Sequence, residues 1–133
     1  KEKWSFGKIR QIKSTGKDIA IIGYGPILRL GFEISKLFDK KYSIYSASTV
    51  KPLDVKRLKT ILRDYSEIIT IEESVESGSL GHSVKVLAQE MQINKKIHSF
   101  NLQDKFIHCY GDHFSILKKH KLDVQSIIKK IKI

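Results

Sequence analysis

Residues Asp18 to Leu30 read DIAIIGYGPILRL: an apolar run, a glycine turn at Gly23-Tyr24-Gly25, and a segment that opens like a helix at Pro26. That order of parts is one way a chain offers backbone N–H groups to a phosphate at a helix N-terminus. The dinucleotide version needs G-x-G-x-x-G, and an acidic residue at the end of the next strand to hold a ribose. Gly23 and Gly25 supply two glycines, but Leu28 stands at the third position, and the next strand ends in Ser46 and Ala47. The phosphate-loop pattern G-x-x-x-x-G-K-[ST] is absent. The residues therefore predict no cofactor on this loop, and the glycines serve a sharp turn from strand to helix.

A second candidate is the pair Glu72-Glu73, followed by Ser77-Gly78-Ser79-Leu80-Gly81. Carboxylates at the carboxyl end of a strand sit where sites form in α/β sheets. Adjacent strand residues point to opposite faces, so these two cannot act jointly on one substrate atom. The expectation is structural: one glutamate held by nearby backbone N–H groups, the other facing an interface. His108, Cys109 and His113 form the one cluster of soft ligands, yet a zinc site asks for about four ligands in paired motifs. No metal site is expected. His82, His98 and His120 stand apart in the sequence and are expected to be ordinary surface or core histidines. No G-x-S-x-G nucleophile elbow is present. Read alone, the residues assign no catalytic or cofactor-binding group to this chain.

The elements that position these groups follow from periodicity. Lys8–Lys13 alternates enough for a short edge strand, and Ser14 to Lys17 is a turn. Asp18–Ile22 is a buried strand. Pro26 opens a helix whose inner face is Ile27, Leu30, Ile34, Leu37 and Phe38. Tyr42–Tyr45 is the next strand, and Pro52 stops it from continuing inside a sheet. Asp54 is placed to cap a helix with the face Val55, Leu58, Ile61, Leu62 and Tyr65. Glu67–Ile71 is a third strand of the alternating series. A helix marked by Val84, Leu87, Ala88 and Met91 follows, then a strand at Ile97–Leu102. Last comes a helix capped by Asp123 along Val124, Ile127, Ile128 and Ile131. Strands alternating with helices imply right-handed crossovers. The fold class predicted is α/β, a three-layer α/β/α domain around a mostly parallel sheet of about five strands.

Composition bounds the function. The 133 residues, 41% of them hydrophobic, predict one domain with a real core. Apolar runs such as Ile19–Ile22 are far too short to cross a bilayer, and no secretory signal pattern opens the chain. A start at Lys1, with Met91 the sole methionine, fits a processed protein or a cut-out domain. The single Cys109 cannot form an internal disulfide, so a reducing cytoplasm is the expected location. The net charge is +11, yet Arg10, Arg29, Arg57 and Arg63 are the only arginines. A nucleic-acid reader leans on arginine for bidentate contacts, whereas the lysines here are scattered. Neither nucleic acid nor a membrane is expected as a partner. A basic module binding some polyanion is the rival that charge alone leaves open.

Several blocks taken together resemble the C-terminal domain of the transketolase superfamily. They are Phe6-Gly7-Lys8, the run Gly16 to Gly25, and Ser48-Thr49-Val50-Lys51-Pro52-Leu53-Asp54. To these add Ile69-Thr70-Ile71-Glu72-Glu73 with Gly78-Ser79-Leu80-Gly81, the run Asp104 to Gly111, and Lys121-Leu122-Asp123. The resemblance spans nearly the whole chain, so residues 1–133 are expected to be one such domain, a fragment of a larger enzyme or the end of a second subunit. It implies a five-stranded α/β/α fold with one antiparallel strand. It implies thiamine diphosphate and a divalent metal such as Mg, bound outside this chain between two other domains. The partners implied are the remaining domains or a partner subunit, in a complete enzyme that is a homo-oligomer. Such domains pack at the dimer and have been proposed to bind regulators.

The activity implied is transfer of two-carbon ketol units between phosphosugars, with the isolated chain inactive. In 1-deoxyxylulose-5-phosphate synthases, a second branch that uses pyruvate as donor, the position matching Ser48 carries an arginine that helps hold substrate phosphate. A serine cannot supply that guanidinium fork, which points to transketolases, the split two-subunit kind in particular. The F-I-H-x-Y-G run fits the same branch. The β subunits of 2-oxo-acid dehydrogenases share the K/R-P-L-D block and match the tail less well. The resemblance places Ser48, Thr49 and Lys51 nearest substrate. It gives Gly23, Gly25, Pro52, Glu72, Glu73, Gly78 and Gly81 structural or interface roles. Ser79 replaces the family's usual second glycine, and His82 a small residue at the helix start.

Overall fold

The computed structural model describes residues 2–131; Lys1, Lys132 and Ile133 lie outside the described residues. The strands are β1 (Arg10–Ser14), β2 (Ile19–Gly23), β3 (Tyr42–Ser46), β4 (Glu67–Val75) and β5 (Lys96–Leu102). The α-helices are α1 (Arg29–Ser35), α2 (Val55–Asp64), α3 (Leu80–Glu90), α4 (His113–Lys119) and α5 (Val124–Ile131), with a 3-10 turn at Pro26–Leu28. They form one sheet in the order β1-β3-β2-β4-β5. β2, β3, β4 and β5 run parallel, while β1 joins the edge antiparallel to β3.

Strands β2 and β3 are buried along their whole length. The unbroken apolar run of β2 reflects a sheet covered on both faces. One face carries Ile19, Ile21, Ile44, Ile69 and Ile71 against Leu30, Ile34, Leu117, Ile127 and Ile131 of α1, α4 and α5. The other carries Ala20, Ile22 and Ile68 against Leu58, Ile61, Leu62, Leu80, Val84 and Leu87 of α2 and α3. These are the three layers and mixed five-stranded sheet expected from the sequence.

The chain leaves β2 toward β3 and later returns past β2 to form β4. The connections therefore diverge between β2 and β4, which is the switch point where a doubly wound sheet opens a crevice beyond its carboxyl ends.

Several details differ from the periodic reading, the first being that β4 runs on to Val75 instead of ending at Ile71, so that Glu72 and Glu73 lie within it. Helix α1 ends at Ser35, whose hydroxyl donates to the Phe32 carbonyl at 3.0 Å, so Leu37 lies beyond the helix and is exposed. Val55 falls on the first turn of α2 and is exposed, although Leu58, Ile61 and Leu62 are buried as expected. Helix α4 is an element that periodicity missed.

Asp54 caps α2 by accepting from the Arg57 N–H at 3.1 Å, and its second oxygen accepts from the Ile9 N–H at 3.1 Å. One buried carboxylate thus ties the lead-in to β1 to the start of α2. Asp54→Ala is expected to cost about 1–2 kcal/mol in a urea titration, as for loss of a strong N-cap. Asp54→Asn keeps one acceptor for the cap but turns its NH2 toward the Ile9 N–H, and is expected to recover only part of that loss.

Candidate functional site

The carboxyl ends of the parallel strands gather most of the residues singled out in the sequence. At the switch point Gly23 of β2 lies opposite Ile71 of β4, so the next residues, Tyr24 and Glu72, come side by side. Glu72 is fully buried. Its Oε1 accepts from the Gly81 N–H at 2.8 Å. Its Oε2 accepts from the Leu80 N–H at 2.9 Å, the Ser74 hydroxyl at 3.0 Å and the Tyr24 hydroxyl at 3.2 Å. Burial pushes the Tyr24 phenol above its ordinary value, and the neighbouring Glu72 carboxylate adds to the rise, so the phenol keeps its proton and donates.

Leu80 and Gly81 are the first two residues of α3, and the third N–H, from His82, goes to the Ser79 hydroxyl at 3.0 Å. The free N–H groups that make a helix N-terminus an anion site are therefore already taken by Glu72 and Ser79. The positive end of the α3 dipole stabilises the buried carboxylate in place of an outside anion. Gly81 permits this close seat: a Cβ there would lie 2.6 Å from Thr70 Oγ1 and 2.8 Å from Ser99 Oγ. The switch-point crevice is thus closed by the chain's own carboxylate. Gly78, at φ +72, makes the turn that delivers α3 to it.

Glu73 points the other way. It is exposed, and its Oε2 lies 3.1 Å from His113 Nε2 on α4. Arg29 stacks over Phe114, 4.5 Å from the ring centroid, and also reaches Glu33 at 3.1 Å. Glu73, His113, Arg29 and Phe114 line a cleft of about 150 Å3 with Pro26 and Leu117. The opposite faces expected of the glutamate pair are found, with Glu72 held by backbone N–H groups.

Ser48, Thr49 and Lys51 do not meet Glu72 in a common pocket. Ser48 Oγ accepts from Trp4 Nε1–H at 3.2 Å, and Thr49 Oγ1 accepts from the Gly7 N–H at 3.1 Å. Their hydroxyls anchor the N-terminal segment beyond β3. Lys51 and Pro52, joined by a cis peptide bond, are exposed. Gly23 sits close under β4, and Gly25 has φ +69.

Among the described residues, no group of three or more His, Cys, Asp or Glu side chains is arranged to hold a metal ion. His98 is less ordinary than its isolation suggested: its Nε2 lies 2.9 Å from Glu67, a buried carboxylate that also meets Lys40 at 3.2 Å. His120 Nδ1 accepts from the Gln103 N–H at 3.0 Å. Tyr24 and Ser74 are the partners that sequence reasoning missed. Tyr24 was legible only as the middle of a glycine turn, and its contact with Glu72 depends on strand register.

The family described as "Transketolase, C-terminal domain" matches residues 7–127. A 1-deoxy-D-xylulose-5-phosphate synthase of Thermotoga petrophila is 36% identical over 121 residues, which cover 91% of this chain. One of Clostridium tetani is 28% identical over 128 residues. The chain spans about a fifth of the length of these relatives, 19% and 20%. A structure titled "Split gene transketolase, inactive beta4 tetramer" superposes with a TM-score of 0.84 over 98% of this chain and 43% of that one, at 19% identity, and shows the same fold. No helix among the described residues is long and apolar enough to cross a membrane.

Proposed function

Because this chain belongs to the transketolase C-terminal domain family, we propose that it is the terminal domain of a larger thiamine-diphosphate-dependent enzyme. Its task there is to pack against the remaining domains or a partner subunit, in a cytoplasmic homo-oligomer, rather than to hold the reacting groups. The observation that carries this reading is the closed crevice. Between the ends of β2 and β4, where a doubly wound sheet seats its ligands, the buried Glu72 uses the α3 N–H groups.

The donor set does not fit the cofactor. A Mg-bound diphosphate asks for carboxylate or amide oxygens around the ion and free N–H groups or cations around the phosphates. Glu72 has its oxygens turned to N–H and O–H donors, and the exposed Glu73 meets His113. The seat of thiamine diphosphate belongs to the other domains.

The named relatives favour the synthase reaction, in which a two-carbon unit from pyruvate joins glyceraldehyde 3-phosphate. Ser48 favours a second reading, ketol transfer between phosphosugars, since it stands where the synthase branch carries a phosphate-holding arginine. Its hydroxyl is also engaged by Trp4. The two readings separate in one assay of the intact protein with thiamine diphosphate and Mg2+. The synthase predicts CO2 release from pyruvate with glyceraldehyde 3-phosphate, and no turnover of a ketose phosphate with an aldose phosphate. Ketol transfer predicts the reverse. Turnover of neither pair contradicts the reading as a whole.

A further inference from the structure

Five large aromatic side chains stand in water on this domain: Trp4, Phe6, Phe106, Tyr110 and Phe114. Phe106 and Tyr110 are 93% and 107% exposed, so nothing in the fold covers either ring. Topology brings all five to one end. Trp4 bonds Ser48, and the residue after Phe6 bonds Thr49, both just beyond the carboxyl end of β3. Phe114 packs with Arg29 after β2, and its neighbour His113 meets Glu73 near the carboxyl end of β4. Phe106 and Tyr110 sit on the strap, residues 103–112, that leaves the carboxyl end of β5.

The strap has little reason of its own to be where it is. Among the described residues, the only hydrogen bond made by residues 104–111 joins the Lys105 N–H to the Gln103 carbonyl. Its far end is fixed by Asp112, which caps α4 through the Ser115 N–H at 3.0 Å. An irregular segment pinned at both ends and carrying bare Phe and Tyr rings has the anatomy of an interface anchor.

We infer that the carboxyl end of the sheet is the surface on which this domain docks to the polypeptide preceding it in the intact enzyme, with Phe106 and Tyr110 as the anchoring rings. This rests on the proposed function. The occupant follows from two facts. Most of the length of each relative lies outside the matched part. The segment through Trp4 and Phe6 runs onto this same end, so polypeptide joined ahead of it begins there. Glu73 pairs with His113 and Arg29 with Glu33 at this end, and the two bare rings ask for apolar pockets on the partner surface.

The test places a photo-reactive benzoyl-phenylalanine at position 106 or 110 of the intact protein and maps the cross-linked peptides. Cross-links to polypeptide ahead of Lys1 support docking. Cross-links only to residues 1–133 of a second copy, or none, overturn it. As a second measure, the double variant Phe106→Ser with Tyr110→Ser is expected to speed hydrogen exchange across the strap in the intact protein about tenfold or more; unchanged exchange overturns the inference. The wild-type activity assay separates this failure from that of the proposed function. An active enzyme without cross-links sinks the docking surface alone, and cross-links in a protein without thiamine-dependent activity sink the functional reading alone.

Discussion

Glu72→Ala lowers the free energy of unfolding by about 3 kcal/mol or more, because it strips partners from several buried donors at once. The Leu80 and Gly81 N–H groups lose their acceptor in a site closed to water, and the Tyr24 and Ser74 hydroxyls lose theirs. The side chain is wholly buried, so solvent does not replace it. Glu72→Gln keeps the shape but turns an amide NH2 toward a backbone N–H, and it is expected to stay well below wild type. Glu73→Ala is the internal control. Its contact with His113 is at the surface, and its loss is expected to cost less than about 1 kcal/mol. Urea midpoints of the three variants check the ordering. Equal losses at positions 72 and 73 would mean that the crevice is not held shut by the carboxylate.

The second large effect is at Gly23. A Cβ there would lie 2.6 Å from the Ile71 carbonyl oxygen and 3.0 Å from Leu28 Cδ1. The closer atom is backbone in the adjacent strand of a fully paired sheet, and it cannot swing aside as a side-chain tip would. Gly23→Ala is expected to cost about 3 kcal/mol, at the upper end for overpacking a tight interior. Gly25 is a different case. It has φ +69 and ψ −169 with open space around it, so Gly25→Ala meets no crowding, only a backbone conformation that is essentially glycine's own, at a cost of about 1–3 kcal/mol. Thermal unfolding of the two variants side by side distinguishes crowding from dihedral strain. A loss at Gly25 larger than at Gly23 would contradict this assignment.

Much of the scaffold was legible because burial and period agree. β2 reads as a strand since both its faces are covered, which writes an unbroken apolar run. Asp54 and Asp123 read as caps, and both accept from the N–H three residues on. Other elements were hidden. α4 is two turns long and its core contact is Leu117, too little for a helical period to show. Leu37 fits the period of α1 but lies outside it, because Ser35 turns its hydroxyl onto the backbone at the last turn.

The site was legible in kind rather than in detail. Two adjacent carboxylates on a strand must face opposite ways, and the following glycine-bearing loop offers N–H groups, so the fate of one glutamate could be read. That Tyr24 reaches it, or that Glu67 joins His98 to Lys40, depends on strands and loops distant in sequence. Periodicity put the first strand at an edge, and the resemblance added what periodicity could not, that one strand runs antiparallel to the rest.

The most direct measurement is a calorimetric titration of thiamine diphosphate with Mg2+ into residues 1–133 and into the intact protein. The account predicts saturable binding by the intact protein and none by residues 1–133, whose helix N-terminus is occupied by Glu72 and Ser79. A micromolar site within residues 1–133 would contradict it.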